Sequence, residues 1–182
     1  MRTDAEKVRT DIVRHAAEAF RSRGYEATSL DEIAAPLGIT RAAVLYHFGS
    51  KAAILRALIE PYFADLDAVF DNAQVSDPPT GRQRRSLLTQ IAEVMLRRRC
   101  VSVLLARDIS THAQLDTAER LAVRTRRLAQ LLVGSNADGP AMVRATAAVG
   151  ALTRPLATAD FAFADAGETR ALIDAAVAAL RG

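Results

Sequence analysis

Apolar residues recur every third or fourth position along almost the whole chain, and this restricts the fold to packed helices. In the first such stretch Val8, Ile12, Ala16 and Phe20 repeat every four residues, with Val13 and Ala17 widening the stripe. It ends at Arg23-Gly24, since glycine supplies the left-handed terminator. A second helix opens at Ser29-Leu30-Asp31-Glu32, a capping box in which each side chain satisfies the other's free backbone N–H. It reaches Leu37 at most, because Gly38 follows. Pro36 inside its last turn is expected to cost a backbone hydrogen bond and to shorten it.

Thr40 caps a short third helix over 41–48, and Ser50 caps a fourth running through Ile54, Leu55, Leu58 and Ile59. Pro61 is expected to kink that helix or end it. Past the loop at 75–82 the pattern predicts helices over 84–98, 101–113 and 117–133. A small-residue-rich helix then opens at Pro140 and meets Pro155, and a last one covers 168–180. No strand alternation of useful length and no internal repeat interrupt this, so the chain is all-α.

At 182 residues such a chain can bury roughly 70% of its unfolded surface, so no disulfide or metal staple is needed. The single cysteine, Cys100, cannot form an internal bridge and reads as a small core residue in a reducing compartment. The first fifteen residues carry charges throughout, so no secretory leader is expected. No run approaches eighteen uncharged apolar residues, which excludes a membrane span. Cytoplasmic placement is the expectation. The net charge of +3 is unevenly spread. Residues 61–81 hold four aspartates and no base, while 82–99 hold six arginines and one acid; residues 1–60 are nearly balanced. Net charge therefore does not locate a binding surface, and the run Arg97-Arg98-Arg99 reads as a solvated helix edge.

Two short helices joined through Gly38 form a helix-turn-helix unit, whose second helix enters a DNA major groove. Around it stands a longer pattern: Ile12, Ala16, Ala17, Phe20, Gly24, Tyr25, Thr28, Ser29, Ile33, Ala34, then Gly38-Ile39-Thr40, His47-Phe48, Ser50-Lys51 and Leu55. This closely resembles the N-terminal DNA-binding domain of TetR-type transcriptional regulators. The resemblance covers about the first quarter of the chain. It implies a three-helix DNA-binding domain over 1–50, followed by a helical effector-binding and dimerisation domain over 51–182. It further implies a homodimer, paired through the two C-terminal helices, that binds a near-palindromic double-stranded operator with half-sites about one helical turn apart. A small-molecule effector and repression would complete the scheme.

Roles carry over by matched position. Thr28 would hold a phosphate with its hydroxyl and the backbone N–H at a helix start. Thr40 and Arg41 would open the reading helix, Arg41 at a guanine edge or a phosphate. Ala42 stands where the family commonly has Gly, and Ala43 would approach a thymine methyl. Tyr46, His47 and Lys51 would lie beside the backbone. Leu45 replaces a common Tyr, which removes one phosphate hydrogen bond.

Phe20, Ile33, Val44, Phe48 and Leu55 read as core, and Tyr25 as packed between helices. Phe63, Met95, Leu105 and His112 are candidate effector contacts, His112 near the end of the sixth helix. Catalysis, a metal and a cofactor find no support. His15, His47 and His112 are far apart without ligand spacing, and no nucleophile elbow, phosphate loop or dinucleotide glycine pattern occurs. Two classes thus compete: a ligand-responsive DNA-binding regulator, and an all-helical protein-interaction module whose near-neutral head meets protein.

Overall fold

A computed structural model describes residues 4–112, 116–158 and 166–181, and every described element is helical. The helices are α1 (Asp4–Arg23), α2 (Leu30–Ala34), α3 (Arg41–Phe48), α4 (Lys51–Asp71), α5 (Gly81–Arg97), α6 (Arg99–Arg107), α7 (Thr117–Val133), α8 (Gly139–Ala157) and α9 (Ala166–Ala179). Short 3₁₀ turns occupy Ala35–Leu37 and Ile109–His112.

The apolar stripe of α1 does what its spacing predicts: Ile12, Ala16, Ala17 and Phe20 are buried. They meet Ile33 of α2, Val44 of α3 and Ile54, Leu55 and Ile59 of α4 in a continuous core. The Phe20 and Tyr25 rings lie edge to face, 5.2 Å apart, and close its upper end. Helix α3 leads into α4 across Gly49 and Ser50 with a bend of 54°. Ser50 Oγ accepts the Ala53 N–H at 3.1 Å as the cap of α4.

Pro61 does not end α4, which continues ten residues beyond it. An interior proline costs about 3 kcal/mol. Downstream of it Tyr62, Phe63, Leu66 and Phe70 are all buried, at about 1.5–3 kcal/mol each; burial outweighs the missing bond. Pro155 likewise lies inside α8. The sixth helix, by contrast, is shorter than its periodicity suggests and stops at Arg107, because Asp108 adopts an extended backbone. The separate turn at Ile109–His112 then holds the residues expected to continue it.

Helices α4 and α7 are bound by a ladder of charge. Arg120 grips Glu60 with two bonds of 2.8 Å, Arg124 pairs with Asp67, and Arg127 reaches Asp71 at 2.7 Å. The Arg120 hydrogen bonds hold the Glu60 carboxyl below its usual range despite partial burial. Asp65 takes Arg98 at 2.9 Å and Arg97 at 3.6 Å, and Arg85 pairs with Asp174 of α9. Two arginines of the 97–99 run are thus tied to α4 and not simply solvated. Asp65 thus joins the acidic segment to the basic one, while Asp67 and Asp71 are paired by arginines of α7.

Helices α8 and α9 pack closely, burying Ala145, Ala148, Leu152, Ile173 and Ala176. Their outer faces leave Val143 70% exposed, with Ala147, Ala171, Ala175 and Ala178 also exposed. Among the described residues no single helix is long and apolar enough to cross a membrane.

Candidate nucleic-acid interface

The helix-turn-helix unit is assembled from local signals. Ser29 Oγ accepts the Glu32 N–H at 3.2 Å, and a Glu32 carboxylate oxygen accepts the Ser29 N–H at 2.8 Å. That backbone bond, with Arg23 beside it, holds the Glu32 carboxyl below its usual range. After Ala34 the chain tightens into the 3₁₀ turn, with Pro36 in its first positions where the absent N–H matters least. The expected shortening of the helix is present, but the fold absorbs it by changing helix type. Gly38 then reverses direction in the left-handed region at φ +65°.

Thr40 Oγ1 accepts the Ala43 N–H at 3.1 Å and starts α3. Val44 is buried beneath the helix, while Thr40, Arg41, Ala42 and Tyr46 face solvent. Tyr46 is 87% exposed and lies edge-on to the His47 ring at 5.4 Å. The Arg41 guanidinium is open to water, 3.6 Å from Asp31; an exposed pair of this kind is worth under about 1 kcal/mol and releases Arg41 readily. Ala43, Leu45 and His47 are half-buried, Leu45 packing against the core.

Three basic or polar groups serve as fastenings behind this surface. Arg9 of α1 donates to the His47 carbonyl and stacks 4.1 Å from the Phe48 ring centroid, closing the C-terminus of α3. Sequence reasoning missed Arg9, because its partner lies 38 residues away and no spacing announces it.

Lys51 was expected at the DNA backbone. Its ammonium instead donates to the carbonyls of Tyr25, Glu26 and Thr28 at 2.8, 3.2 and 3.0 Å, and sits 4.5 Å above the Tyr25 ring. All three N–H donors are engaged within the protein. Thr28, also expected at a phosphate, is 1% exposed, and its hydroxyl donates to the Gly24 carbonyl at 2.8 Å. Both residues hold the α1–α2 loop; neither side chain lies on the outer face.

The same loop is fastened to the rest of the molecule. A carboxylate oxygen of Asp108 accepts the Tyr25 N–H, and the other accepts the Ser110 N–H at 3.0 Å. Burial pushes the Asp108 carboxyl up, but bonds from the Ser110 hydroxyl and from the Tyr25, Ser110 and Thr111 backbone more than offset this and hold it below its usual value. Nearby, the Cys100 thiol lies 3.4 Å from the Ala17 carbonyl, and burial raises its pKa. Helix α6 and the residue that ends it thus hold both α1 and the loop that follows it.

Between α4, α5, α6, α7 and α8 lies a cavity of about 340 Å³, floored by Tyr62, Leu66, Phe70, Met95, Leu105 and Leu128. Met95 and Leu105 are two of the residues singled out from sequence. Phe63 does not reach it: one residue beyond Tyr62 and turned about 100°, its ring lies under the Arg120 and Arg124 guanidinium groups at 4.4 and 4.2 Å. His112 closes the 3₁₀ turn after α6 rather than the helix itself, and its side chain lies outside the described residues. Burial pushes the Tyr62 phenol up to about 12, so it meets the cavity as a neutral hydroxyl. No three His, Cys, Asp or Glu side chains converge as metal ligands among the described residues.

A helix-turn-helix with an exposed third helix, backed by a helical body with an apolar cavity, can be compared with known proteins. Residues 12–58 match the family described as bacterial regulatory proteins, tetR family. The HTH-type transcriptional regulator TtgR of Pseudomonas putida is 33% identical over 95 residues, spanning 51% of this chain and 45% of TtgR. The chain thus spans less than half the length of this relative. Among solved structures, the TetR family regulator PfmR of Thermus thermophilus superposes with a TM-score of 0.71 at 24% identity, covering 94% of this chain and 99% of PfmR. NalD of Pseudomonas aeruginosa, the secondary repressor of the MexAB-OprM multidrug efflux pump, gives 0.70 at 22%, covering 97% and 96%. At these identities the structures establish the shared all-helical fold. Through residues 12–58 the chain is thus similar to the tetR family of bacterial regulatory proteins, and over most of its length it shares the fold of solved members.

Proposed function

We propose that this protein is a ligand-responsive, sequence-specific DNA-binding transcriptional regulator, acting as a repressor on a near-palindromic operator. Residues 1–50 form the reading head and 51–182 the effector-binding and dimerising body. The observation that carries this reading is the outer face of α3, where Thr40, Arg41, Ala42 and Tyr46 stand clear of the protein on a helix capped at its start and clamped at its end. Arg41, with Ala43 beside it, addresses base edges or phosphate, while Tyr46 and His47 lie along the backbone. Lys51 and Thr28 act by positioning.

A homodimer joined through α8 and α9 would set two such heads about 34–36 Å apart, one turn of DNA. A small molecule in the cavity would act through α4, which lines that cavity and begins at Lys51 beside the reading head. Its binding would shift the dimer toward a head spacing that fits DNA poorly. Work on chromosomal DNA would put the protein in the cytoplasm.

A gel shift on the DNA upstream of its own gene tests the reading. A discrete, salt-sensitive complex that competes only with the same sequence is the expected result. Sequence-independent binding, or none at low salt, would overturn it.

A further inference from the structure

The cavity is uneven in a way that selects a ligand. Its floor is apolar, formed by side chains such as Leu66, Phe70, Met95 and Leu128, all buried. Its mouth is not. Thr125 of α7 and Arg154 of α8 belong to its lining and are both exposed to solvent. No aspartate or glutamate contributes to the lining, and Arg154 has no acidic partner among the described residues. The second lining cation, Arg124, is held by Asp67 and by the Arg120 carbonyl, yet its Nε–H is shut from water without a partner. Among the described residues the wall therefore offers positive charge and hydrogen-bond donors, with no lining carboxylate to receive a cation.

We propose that the ligand of this cavity is an apolar molecule ending in one anionic group, of the class of medium-length carboxylic acids, its tail on the floor and its carboxylate at the mouth against Arg154. This rests on the reading of the cavity as an effector site and adds the chemistry of its ligand. An anion here meets a guanidinium on a partly desolvated rim, where charge-assisted bonds are roughly twice as strong as neutral ones. A cationic head of equal size meets Arg154 with no carboxylate among the described lining residues to offset it, and a neutral head gains only an ordinary hydrogen bond. At about 30 Å³ for each water-sized group, 340 Å³ holds on the order of ten heavy atoms, which suits an eight-carbon acid.

Titration calorimetry of the full chain with octanoate, 1-octanol and octylammonium separates head from tail, because the three share one chain. Octanoate binding roughly tenfold or more tighter than 1-octanol, with octylammonium weakest, is the expected order. In Arg154→Gln, an exposed substitution that leaves the core intact, octanoate falls to the affinity of 1-octanol while 1-octanol itself is unchanged. Equal binding of acid and alcohol by the native chain, or undiminished octanoate binding by Arg154→Gln, overturns the anionic head and leaves the cavity as a ligand site. Binding of none of the three overturns the proposal together with the effector-site reading beneath it.

Discussion

Lys51 is the residue whose sequence reading and structural role diverge most. Its position invites a phosphate contact, but its ammonium is consumed by the carbonyls of Tyr25, Glu26 and Thr28. The two roles predict different measurements. Lys51→Met is expected to lower stability by about 1–3 kcal/mol, since hydrogen bonds to a charged group disappear at a half-buried site, while the slope of log K against log salt for operator binding stays unchanged. Arg41→Ala is expected to leave the melting temperature nearly unaltered and to flatten that slope by about one for each phosphate no longer neutralised. A flattened slope in Lys51→Met with native stability would return Lys51 to the DNA. The Ser29–Glu32 box was legible because both partners lie within one turn of helix. Lys51, Arg9 and Asp108 were not, because their partners are backbone groups 23 to 83 residues away, and a carbonyl or N–H has no sequence identity to read.

Helix starts were legible in the sequence where a side chain caps them. The caps at Ser29, Thr40 and Ser50 each accept a backbone N–H within the following turn, so the side-chain oxygen identifies the start. Ends depend on what the next residues can bury. Pro61 fails to stop α4 because aromatic and aliphatic burial beyond it outweighs one missing bond, whereas Asp108 stops α6 because its carboxylate binds other elements. Gly38 sets the angle between α2 and α3. A Cβ there would have open space around it, so any cost comes from its left-handed backbone. Gly38→Ala is expected to lower stability by about 1–2 kcal/mol and Gly38→Asn by less, measurable by urea denaturation. Equal stability of the Ala variant and the native chain would show that the turn relaxes to another conformation.

For the molecule as a whole, the exposed small-residue face of α8 and α9 is the surface a symmetric partner would cover. Ala175→Glu adds charge at a site open in the single chain, so the fold is expected to survive while the proposed dimer does not. Light scattering should then report a monomer, with operator binding weakened at least tenfold by loss of the second head; a dimer retained by this variant would place the interface elsewhere. Charge illustrates how much depended on assembly. The basic block at 82–99 and the acidic one at 61–81 suggest a charged surface, yet Asp65, Asp67 and Asp71 are engaged by arginines at 97, 98, 124 and 127. By itself the sequence determined the helical class, the helix-turn-helix and its caps, because periodicity and capping act within one or two turns. Only the tertiary structure decided which cations face solvent, that Tyr62 rather than Phe63 meets the cavity, and where α4 and α6 stop. Those outcomes depend on helix phase and on partners distant in the chain, which no local pattern encodes.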